Sequence, residues 1–215
     1  MNSPDKMAAF HAERLEGLGG SDIGAILGLS KYRTPVDVWA EKTGRVPPQE
    51  SNLQMRFGTF AEEFVAQEYS AATGLKVQRF NPMLRHPTAP LIGHVDRLVV
   101  PEGQKVASHN VPTAYLAQVA TYRILTGCRY ADLAVLFGNH DLRIYHLWRD
   151  VELEQMIIAK ASEWWQRHIV ADVAPEPVCD ADAKPLYPKS VAAKTIEANE
   201  ELLHKLAVMR EARAQ

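Results

Sequence analysis

The chain has 215 residues, of which 47% are hydrophobic and 23% charged, and its formal net charge is −2. This balance is typical of a globular protein and excludes a globally basic surface, so positive charge for a nucleic-acid partner would have to be local. Cys128 and Cys179 follow no metal-ligand spacing, so neither a zinc site nor a disulfide framework is indicated, and we expect a reducing cytoplasm. The first residues lack the apolar core of a signal peptide, and no apolar run approaches the roughly 20 residues of a membrane span.

The first predicted elements are a short helix over Lys6–Leu15 and a glycine-rich turn, Gly17–Asp22. The glycines permit a close backbone approach, and Ser21 or Asp22 can cap the helix that follows, Ile23–Leu27. A glycine-rich turn that leads into a helix presents free N–H groups, so it can bind an anion such as phosphate. The alternative is that it serves only as a turn, as most such turns do.

Two longer helices are predicted next, on either side of a polar loop that contains proline. The first is capped by Thr34, has Pro35 at its first position and ends at Thr43. The second covers about Met55–Thr73 and ends at Gly74, which is typical of the residue after a helix C-terminus.

The second of these helices carries two adjacent glutamates, Glu62 and Glu63, in its middle. Its apolar stripe, at helical spacing, consists of Phe57, Phe60, Ala61, Phe64, Val65 and Tyr69. Paired helix glutamates are usually solvated, but at this spacing one of the two must lie near the edge of the stripe.

Three strands are predicted next, Leu75–Phe80, Met83–His86 and Leu91–Val100, and the last has the clearest apolar pattern. Asp96 stands in its middle, with His94 on the same face. A carboxylate inside an apolar strand costs several kcal/mol unless a cation, a hydrogen-bond network or a metal compensates it. On this strand alone, a solvated edge strand and a metal site both remain open.

A helix over Val111–Thr126, ended by Gly127, follows the polar loop Pro101–Asn110. Gln118 is embedded in the apolar face of this helix, one turn away from tyrosines on either side. On the helix pattern alone, the amide is either a satisfied core group or a functional one.

The remaining elements are two strands joined by a hairpin loop, a helix with two tryptophans, a proline-rich linker or wrapping segment, and a charged terminal helix. They are Arg129–Phe137, Leu142–Trp148, Val151–Ile169, Ala174–Pro188 and Val191–Arg213. A mostly polar terminal helix more often packs across a neighbour or another subunit than fills a core. The order of elements predicts a mixed α/β domain with helices that flank a central sheet.

Four segments carry a further resemblance: Arg14–Ile23 with its Gly-Leu-Gly-Gly-Ser-Asp turn, Gly58–Glu62, Gly93–Leu98 around the strand aspartate, and Tyr115–Val119 around the helix glutamine. In this order they resemble the motifs of the YqaJ-type viral recombinase family, to which the phage lambda exonuclease belongs. Four motifs in order are far more specific than any one of them, and the resemblance covers roughly Arg14–His168.

The resemblance implies an alkaline-exonuclease fold of the PD-(D/E)XK nuclease class, with a central mixed β-sheet flanked by helices and a C-terminal helical extension. We expect an exonuclease domain over residues 1–173, and over residues 174–215 a linker and a helix that packs on this domain or on a neighbouring subunit. The implied activity is Mg²⁺-dependent 5′-to-3′ digestion of linear double-stranded DNA in phage-type homologous recombination, with Mn²⁺ as a substitute ion. The implied partners are DNA ends, two further copies in a trimeric ring, and a single-strand annealing protein. The implied location is the cytoplasm of a bacterial host, for a protein encoded by a phage or prophage.

The resemblance also assigns roles to five residues. Asp96 and Glu62 are the expected metal ligands and catalytic carboxylates, since Mg²⁺ prefers hard oxygen ligands. Gln118 is the third expected catalytic residue; being neutral, it would orient the nucleophile or a carboxylate. Arg14 and Ser21 are expected to bind DNA phosphate, although an ion pair with a neighbouring glutamate is the alternative for Arg14.

One part of the family pattern is missing. The family carries a Glu-x-Lys pair on the strand after the aspartate strand, whereas the Glu-Gly-Gln-Lys of residues 102–105 has a spacing that would not place both side chains on one face. Only 22 positions separate Asp96 from Gln118, too few for the family fold. Either a segment is absent from the sequence between Asn110 and Val111, or a deletion has removed half of the catalytic site. The first explanation, which we favour, predicts that these two residues lie farther apart than the about 3.8 Å of bonded neighbours.

Three functions remain open on the sequence. The first is the exonuclease, and the second is a catalytically degenerate DNA-end-binding protein of the same fold that lacks the Glu-x-Lys half-site. The third is an endonuclease of restriction type on this fold, which would cut closed circular DNA.

Overall fold

The computed structural model describes residues 11–47, 52–99, 112–189, 197 and 199–214. Residues 11–15 are helical. The longer helices that follow are α1 (Gly20–Ile26), α2 (Pro35–Lys42), α3 (Leu53–Thr73), α4 (Thr113–Thr126) and α5 (Val151–Trp164), the last continuing into a π-helical stretch, Trp165–Val170. A 3₁₀ turn, Asp180–Asp182, and the short helix α6 (Ala183–Leu186) precede the terminal helix α7 (Glu200–Ala214). The strands are β1 (Val77–Arg79), β2 (Leu84–Arg85), β3 (Ile92–Gly93), β4 (Arg97–Val99), β5 (Tyr130–Phe137) and β6 (Asp141–Trp148).

Local capping explains where the helices begin and end. Thr34 accepts a hydrogen bond from the Asp37 N–H, and the Asp37 carboxylate accepts one from the Thr34 N–H, so a capping box starts α2 as the sequence predicts. Gly74 and Gly127 adopt left-handed φ values of 72° and 70° and end α3 and α4. The predicted start of α2 and the predicted ends of α3 and α4 are confirmed.

The described strands form three separate antiparallel pairs, β1–β4, β2–β3 and the hairpin β5–β6. The hairpin is confirmed: its eight residue pairs run from Tyr130↔Trp148 to Phe137↔Asp141, and its loop contains left-handed Gly138 and Asn139. One central sheet is not formed by the described strands. The predicted strand Leu91–Val100 is also broken, because the chain bends at Asp96 between β3 and β4.

The main core lies where α1, α4 and α5 pack together. Its buried members are Leu18, Ile23, Ala25, Val38, Ala89, Leu91, Ala117, Ala120, Ile157 and Ala161. The glycine-rich turn joins this core through backbone hydrogen bonds, from Leu18 N to Pro90 O at 2.7 Å and from Ile92 N to Leu18 O at 3.0 Å. A Cβ on Gly17 would lie 2.8 Å from Ile92 Cγ2, so the close approach requires glycine there.

The apolar stripe predicted for α3 is buried only in part. Phe57, Phe60 and Phe64 are 59%, 79% and 49% exposed, whereas Tyr69 of the same stripe is buried, together with Ala66, which the stripe did not include. The helix packs through the face that holds Ala66 and Tyr69, and no described element covers the opposite face. Helical spacing identified an apolar stripe but not which face is buried.

The segment after α5 wraps around α2. Thr34 Oγ1 donates to the Asp182 carboxylate at 2.7 Å, and Leu186 packs against the small cluster of Val36 and Trp39. In α7, by contrast, Leu203, Leu206, Val208 and Met209 are exposed, so the described residues do not show the predicted packing of this helix on the domain.

The Asn110/Val111 junction lies outside the described residues, and so does the predicted break there. None of the described helices is long and apolar enough to cross a membrane.

Candidate active site

A pocket of about 720 Å³ opens between α3, residues 95–99, α4 and β5. Glu62 comes from α3, Asp96 from the bend before β4, and Gln118 from α4, and all three line this pocket. The structure therefore brings together the three residues that the sequence predicted as catalytic, from three elements that are distant in the chain.

Asp96 differs from its prediction in one respect, its exposure. Asp96 was expected to be buried inside a strand, but it lies at a bend and is exposed, because its side chain faces the open pocket. The pocket walls still remove part of its water, which raises the pKa of Asp96, although the Arg97 charge opposes the shift. An exposed carboxylate needs no metal to be tolerated, so the cost of burial does not by itself indicate a cation here.

The pKa of Glu62 depends on the charged groups around it in the same pocket. Partial loss of solvation, followed by the charge of Asp96, raises the pKa of Glu62, while Arg97 and Arg79 act in the opposite direction. The two acids are thus close enough to repel each other when both are ionised. A divalent cation between them would relieve this repulsion.

Glu63, next to Glu62, has a structural role. Its carboxylate pairs with Arg79 at 2.7 Å and with Arg97 at 2.9 Å, which ties α3 to the β1–β4 pair. Because Glu63 is anchored on this side, the adjacent Glu62 is left to face the pocket.

Gln118 is held in place by two contacts. Its Nε2 donates to the Tyr122 hydroxyl at 3.1 Å, one helical turn away. On its other side Gly20 of α1 packs so closely that a Cβ there would lie 2.8 Å from Gln118 Cγ. Gly20 is therefore needed for helix packing against the glutamine, a role that the sequence did not reveal.

The glycine-rich turn is built around Asp22. The helix begins at Gly20 with Gly19 as its N-cap, so the prediction that Ser21 or Asp22 caps a later start is wrong. Asp22 instead accepts a hydrogen bond from the Gly19 N–H at 2.9 Å, which places a carboxylate on one of the N–H groups expected to bind phosphate. This is the N3 carboxylate half of a capping box, without the N-cap side-chain half, because Gly19 has no side chain.

Asp22 also forms a buried ion-pair cluster. Lys42 Nζ lies 2.8 Å and Arg33 Nη1 2.6 Å from its carboxylate, and the side chains of Asp22 and Lys42 are completely buried. Burial alone would raise the pKa of Asp22, but Lys42 and Arg33 outweigh it and hold the pKa below its ordinary value. This cluster joins the turn to Arg33 in the following loop and to Lys42 of α2.

The two predicted phosphate-binding residues do not line the pocket. Ser21 is exposed at the start of α1, and Arg14 is half-buried, with its carbonyl accepting from Lys42 Nζ at 2.6 Å. The charge of Arg14 reaches Tyr122, where it opposes the rise in pKa that burial causes. Arg14 therefore lies near the Gln118 end of the pocket, and its contact with DNA stays a prediction.

The sequence did not predict a hydrogen-bonded chain of Tyr69, Asp132 and His146, of which the first two line the pocket. The Tyr69 hydroxyl donates to the Asp132 carboxylate, and His146 Nδ1 lies 2.5 Å from the other Asp132 oxygen. Burial and this hydrogen bond raise the pKa of Tyr69, so the phenol stays protonated. Asp132 and His146 are directly opposite in the hairpin, and pairing the two predicted strands from the loop would have revealed them.

The donor set suits a weakly held hard cation. Within the part of the chain that the structure describes, no group of three or more His, Cys, Asp or Glu side chains is placed to hold a metal. Mg²⁺, however, is often bound by one or two carboxylates together with waters and substrate phosphates, and Glu62 and Asp96 are such a pair. The arginines 97, 123 and 129 also line the pocket, whereas none of its described lining residues is a lysine.

Comparisons with known proteins give a consistent result. The model of the YqaJ-like viral recombinase domain matches residues 9–129. The uncharacterized protein YqaJ of Bacillus subtilis (strain 168) is 36% identical over 180 residues, which cover 76% of this chain and 56% of that protein. The chain thus spans about half the length of this curated relative.

Two solved structures share the fold. The crystal structure of LHK-Exo in complex with dAMP has a TM-score of 0.62 at 19% identity, and that of the alkaline exonuclease LHK-Exo from Laribacter hongkongensis has a TM-score of 0.60 at 21% identity. Each match covers 77% of this chain and 93% of the other. The mixed arrangement of helices and small sheets is therefore the fold of an alkaline exonuclease.

Proposed function

The chain belongs to the YqaJ-like viral recombinase domain family, and from this premise we propose that it is a Mg²⁺-dependent exonuclease that digests linear double-stranded DNA from 5′ to 3′. The observation that supports the proposal is the convergence of Glu62, Asp96 and Gln118 in one pocket. Carboxylates and an amide around an open pocket are suited to phosphodiester hydrolysis, which needs oxygen ligands for a cation and a positioned water.

Each of the three residues has a distinct role in this proposal. Glu62 and Asp96 would hold Mg²⁺, or Mn²⁺ in its place. The bound ion supplies charge neutralisation at the phosphodiester and makes water a better nucleophile. Gln118 cannot take up a proton from water, but because its Nε2 donates to Tyr122, its carbonyl oxygen would be the atom that accepts a hydrogen bond from the attacking water.

The protonation of the two acids controls whether they can hold a cation. Both pKa values are raised, so protons compete with a cation for the two carboxylates up to a higher pH than they would at free carboxyl groups. Activity of a nuclease built on this pocket is therefore expected to rise as pH rises through these two pKa values.

Contacts with DNA are proposed for the rim of the pocket. Arg14, whose charge reaches the Gln118 end, would bind phosphate together with Ser21. The net charge of −2 argues that such contacts are local, because no basic surface attracts DNA over a long range. DNA binding through these local contacts should weaken as the salt concentration rises.

The wider assignment follows from the family alone. We place the exonuclease domain in residues 1–173 and assign residues 174–215 to a linker and a helix that packs on the domain or a neighbouring subunit. A central sheet of the PD-(D/E)XK nuclease class, a homotrimeric ring and a single-strand annealing partner in phage-type recombination complete the proposal. The site of action would be the cytoplasm of a bacterial host.

A second function is favoured by one specific observation. The described lining of the pocket contains no lysine, and the described carboxylates do not form a group of three, so the Glu-x-Lys half-site has no counterpart in this part of the chain. A DNA-end-binding protein that has lost the chemistry would have this composition. It would bind linear DNA ends and release no nucleotides.

Incubation of the full chain with end-labelled linear duplex and closed circular DNA, with Mg²⁺ or EDTA, separates the two. The exonuclease releases nucleotides from the linear substrate only with Mg²⁺ and leaves circles intact. Asp96→Asn should abolish the release, whereas Glu68→Gln, an exposed carboxylate on the same helix as Glu62, should keep it. End binding without release by the unaltered chain would establish the second function, and rapid cutting of circles would indicate an endonuclease.

A further inference from the structure

The pocket follows one face of α4. Its lining includes residues at helical spacing from Tyr115 to Thr126, a stretch that is about 16 Å long at about 1.5 Å per residue. The two pocket carboxylates lie beside the part of this helix around Gln118, since the charge of Asp96 reaches the Tyr122 hydroxyl that accepts from the glutamine. A cation bound by these carboxylates would therefore leave the part of the pocket towards the C-terminus of α4 to the substrate.

An arginine stands just beyond the C-terminus of α4. Gly127 ends the helix, and Arg129, two residues later, is exposed and lines the pocket. Its backbone is fixed where the hairpin opens, because its carbonyl oxygen accepts from the Arg149 N–H at 2.8 Å. Its side chain has no ion-pair or hydrogen-bond partner in the part of the chain that the structure describes. The charge of Arg129 is therefore available to a bound anion.

The acids nearest to Arg129 in the chain are engaged by other groups. Glu154 Oε2 lies 2.8 Å from Arg149 Nε, and its other oxygen lies 3.9 Å from Arg123 Nε, so one carboxylate serves two arginines. Asp132, three residues after Arg129, has both oxygens occupied in the hydrogen-bonded chain with a tyrosine and a histidine. This end of the pocket thus presents positive charge, whereas the other end presents the two carboxylates.

We propose that Arg129 binds a phosphate of the same DNA strand whose reacting phosphodiester lies at Glu62 and Asp96; this inference rests on the proposed binding of DNA in the pocket. A guanidinium offers two parallel N–H donors that match two phosphate oxygens. This contact is additional to those proposed for Arg14 and Ser21.

The length of α4 indicates which phosphate is contacted. Along the helix axis, Thr126 lies about 6 Å from Tyr122 and about 12 Å from Gln118. A B-form strand carries one phosphate for about every 3.4 Å of its axis. Arg129, just beyond Thr126, would therefore contact a phosphate about two to four nucleotides from the reacting bond.

In this arrangement Arg129 is a positioning residue. It holds the strand in line with the carboxylates but does not touch the reacting atoms. Its contact is the same before and during the reaction, so it should contribute to DNA affinity and KM and contribute little to kcat.

DNA binding by the full chain in EDTA measures this contact without cleavage. Fluorescence anisotropy of a labelled linear duplex is recorded over a range of salt concentrations. For Arg129→Gln we expect the slope of log affinity against log salt to become less steep by about 0.7–0.9, the value for one lost phosphate contact, with roughly fivefold weaker binding at about 0.1 M salt. Arg129→Lys keeps the charge and should keep the slope.

The matched control is Arg143→Gln. It removes an equal charge from an exposed arginine of the same hairpin that pairs with Asp141 and lies outside the described lining of the pocket. Neither the affinity nor the salt slope should change in this variant. In the nuclease assay, Arg129→Gln should raise KM and leave kcat nearly unchanged, whereas Arg143→Gln should leave both unchanged.

Two results would overturn the inference. An unchanged salt slope in Arg129→Gln would mean that the arginine only complements the negative C-terminal end of α4. An equal change of slope in Arg143→Gln would mean a general effect of net charge. Nucleotide release by the unaltered chain alongside either result would leave the exonuclease proposal standing. The expected change of slope without nucleotide release would instead support the Arg129 contact and exclude the exonuclease, and the absence of any DNA binding would overturn both.

Discussion

Substitution of Gly20 by alanine probes the contact that positions Gln118. In a helix, alanine is favoured over glycine by about 0.5–1 kcal/mol, because glycine loses more backbone entropy on folding. At this position, however, the added Cβ would lie 2.8 Å from Gln118 Cγ and 3.2 and 3.3 Å from the Gln118 carbonyl oxygen and Cα. Rotation of the glutamine side chain would relieve the contact with Cγ but would move the amide, and the two tight contacts with the backbone of α4 would remain.

The clash should outweigh the helix propensity. Overpacking of a tight contact typically costs about 1–3 kcal/mol, so we expect Gly20→Ala to lower the free energy of unfolding by about 1–2 kcal/mol. Displacement of α4 would also move Gln118 in the pocket, so nucleotide release should fall more than stability alone explains.

The same helix supplies the control. A Cβ on Gly24 would meet its nearest neighbour, the Ala114 carbonyl oxygen, at 3.7 Å, which is ordinary contact. Gly24→Ala should therefore be neutral or stabilise the protein by up to about 1 kcal/mol. Urea unfolding of both variants, together with the nuclease assay, measures the difference. Equal stability of the two variants would refute the packing argument at Gly20.

Three further predictions follow from charges on and near the site. Mg²⁺ affinity, measured by calorimetry, should increase as pH rises through the raised pKa values of Glu62 and Asp96, and an affinity that stays flat across the whole acidic range in which carboxyl groups titrate would contradict this. Asp132→Asn should lower the free energy of unfolding by about 1–3 kcal/mol, because it weakens a buried hydrogen-bonded chain. Half-buried Asp141 in the same hairpin, which pairs with the exposed Arg143, is the control, and Asp141→Asn should change stability by less than about 1 kcal/mol. Asp22→Asn leaves the buried Lys42 charge unpaired and should cost about 3–5 kcal/mol in urea unfolding. Since the folded pKa of Asp22 is lowered, its contribution is present above the ordinary carboxyl pKa and is lost as pH falls towards the folded value, and the variant should lose this acid dependence.

Much of the helical structure could be predicted because its signals are local. The Thr34 cap with Pro35 behind it, and the glycines 74 and 127 at helix ends, act within one turn of the chain. The β5–β6 hairpin was equally accessible, since two apolar runs flank a loop that tolerates left-handed residues. Capping and turn chemistry therefore place these elements without tertiary information.

The errors occur where packing between segments that are distant in the chain determines the local structure. The phenylalanines of α3 have a helical period, but the period cannot tell which part of an apolar stripe meets a neighbour, and of the predicted stripe only Tyr69 is buried. Asp96 interrupts an apolar run, and the chain bends there instead of burying the carboxylate in a continuous strand. Asp22 has partners 11 and 20 positions away, Arg33 and Lys42, which no short motif indicates.

The candidate catalytic residues were found through motifs rather than through periodicity. Glu62, Asp96 and Gln118 each had an ordinary structural interpretation on its own, and only their order along the chain favoured a site. The structure adds that they line one pocket, and that Gly20 and Tyr122 hold the glutamine.

Titration with Mn²⁺ followed by electron paramagnetic resonance shows whether Glu62 and Asp96 form one cation site. We expect the full chain to bind an ion with an affinity that falls at least tenfold in both Glu62→Gln and Asp96→Asn, while Glu68→Gln binds as the unaltered protein does. If both pocket variants bind Mn²⁺ as tightly as the unaltered protein, these two carboxylates do not form the site.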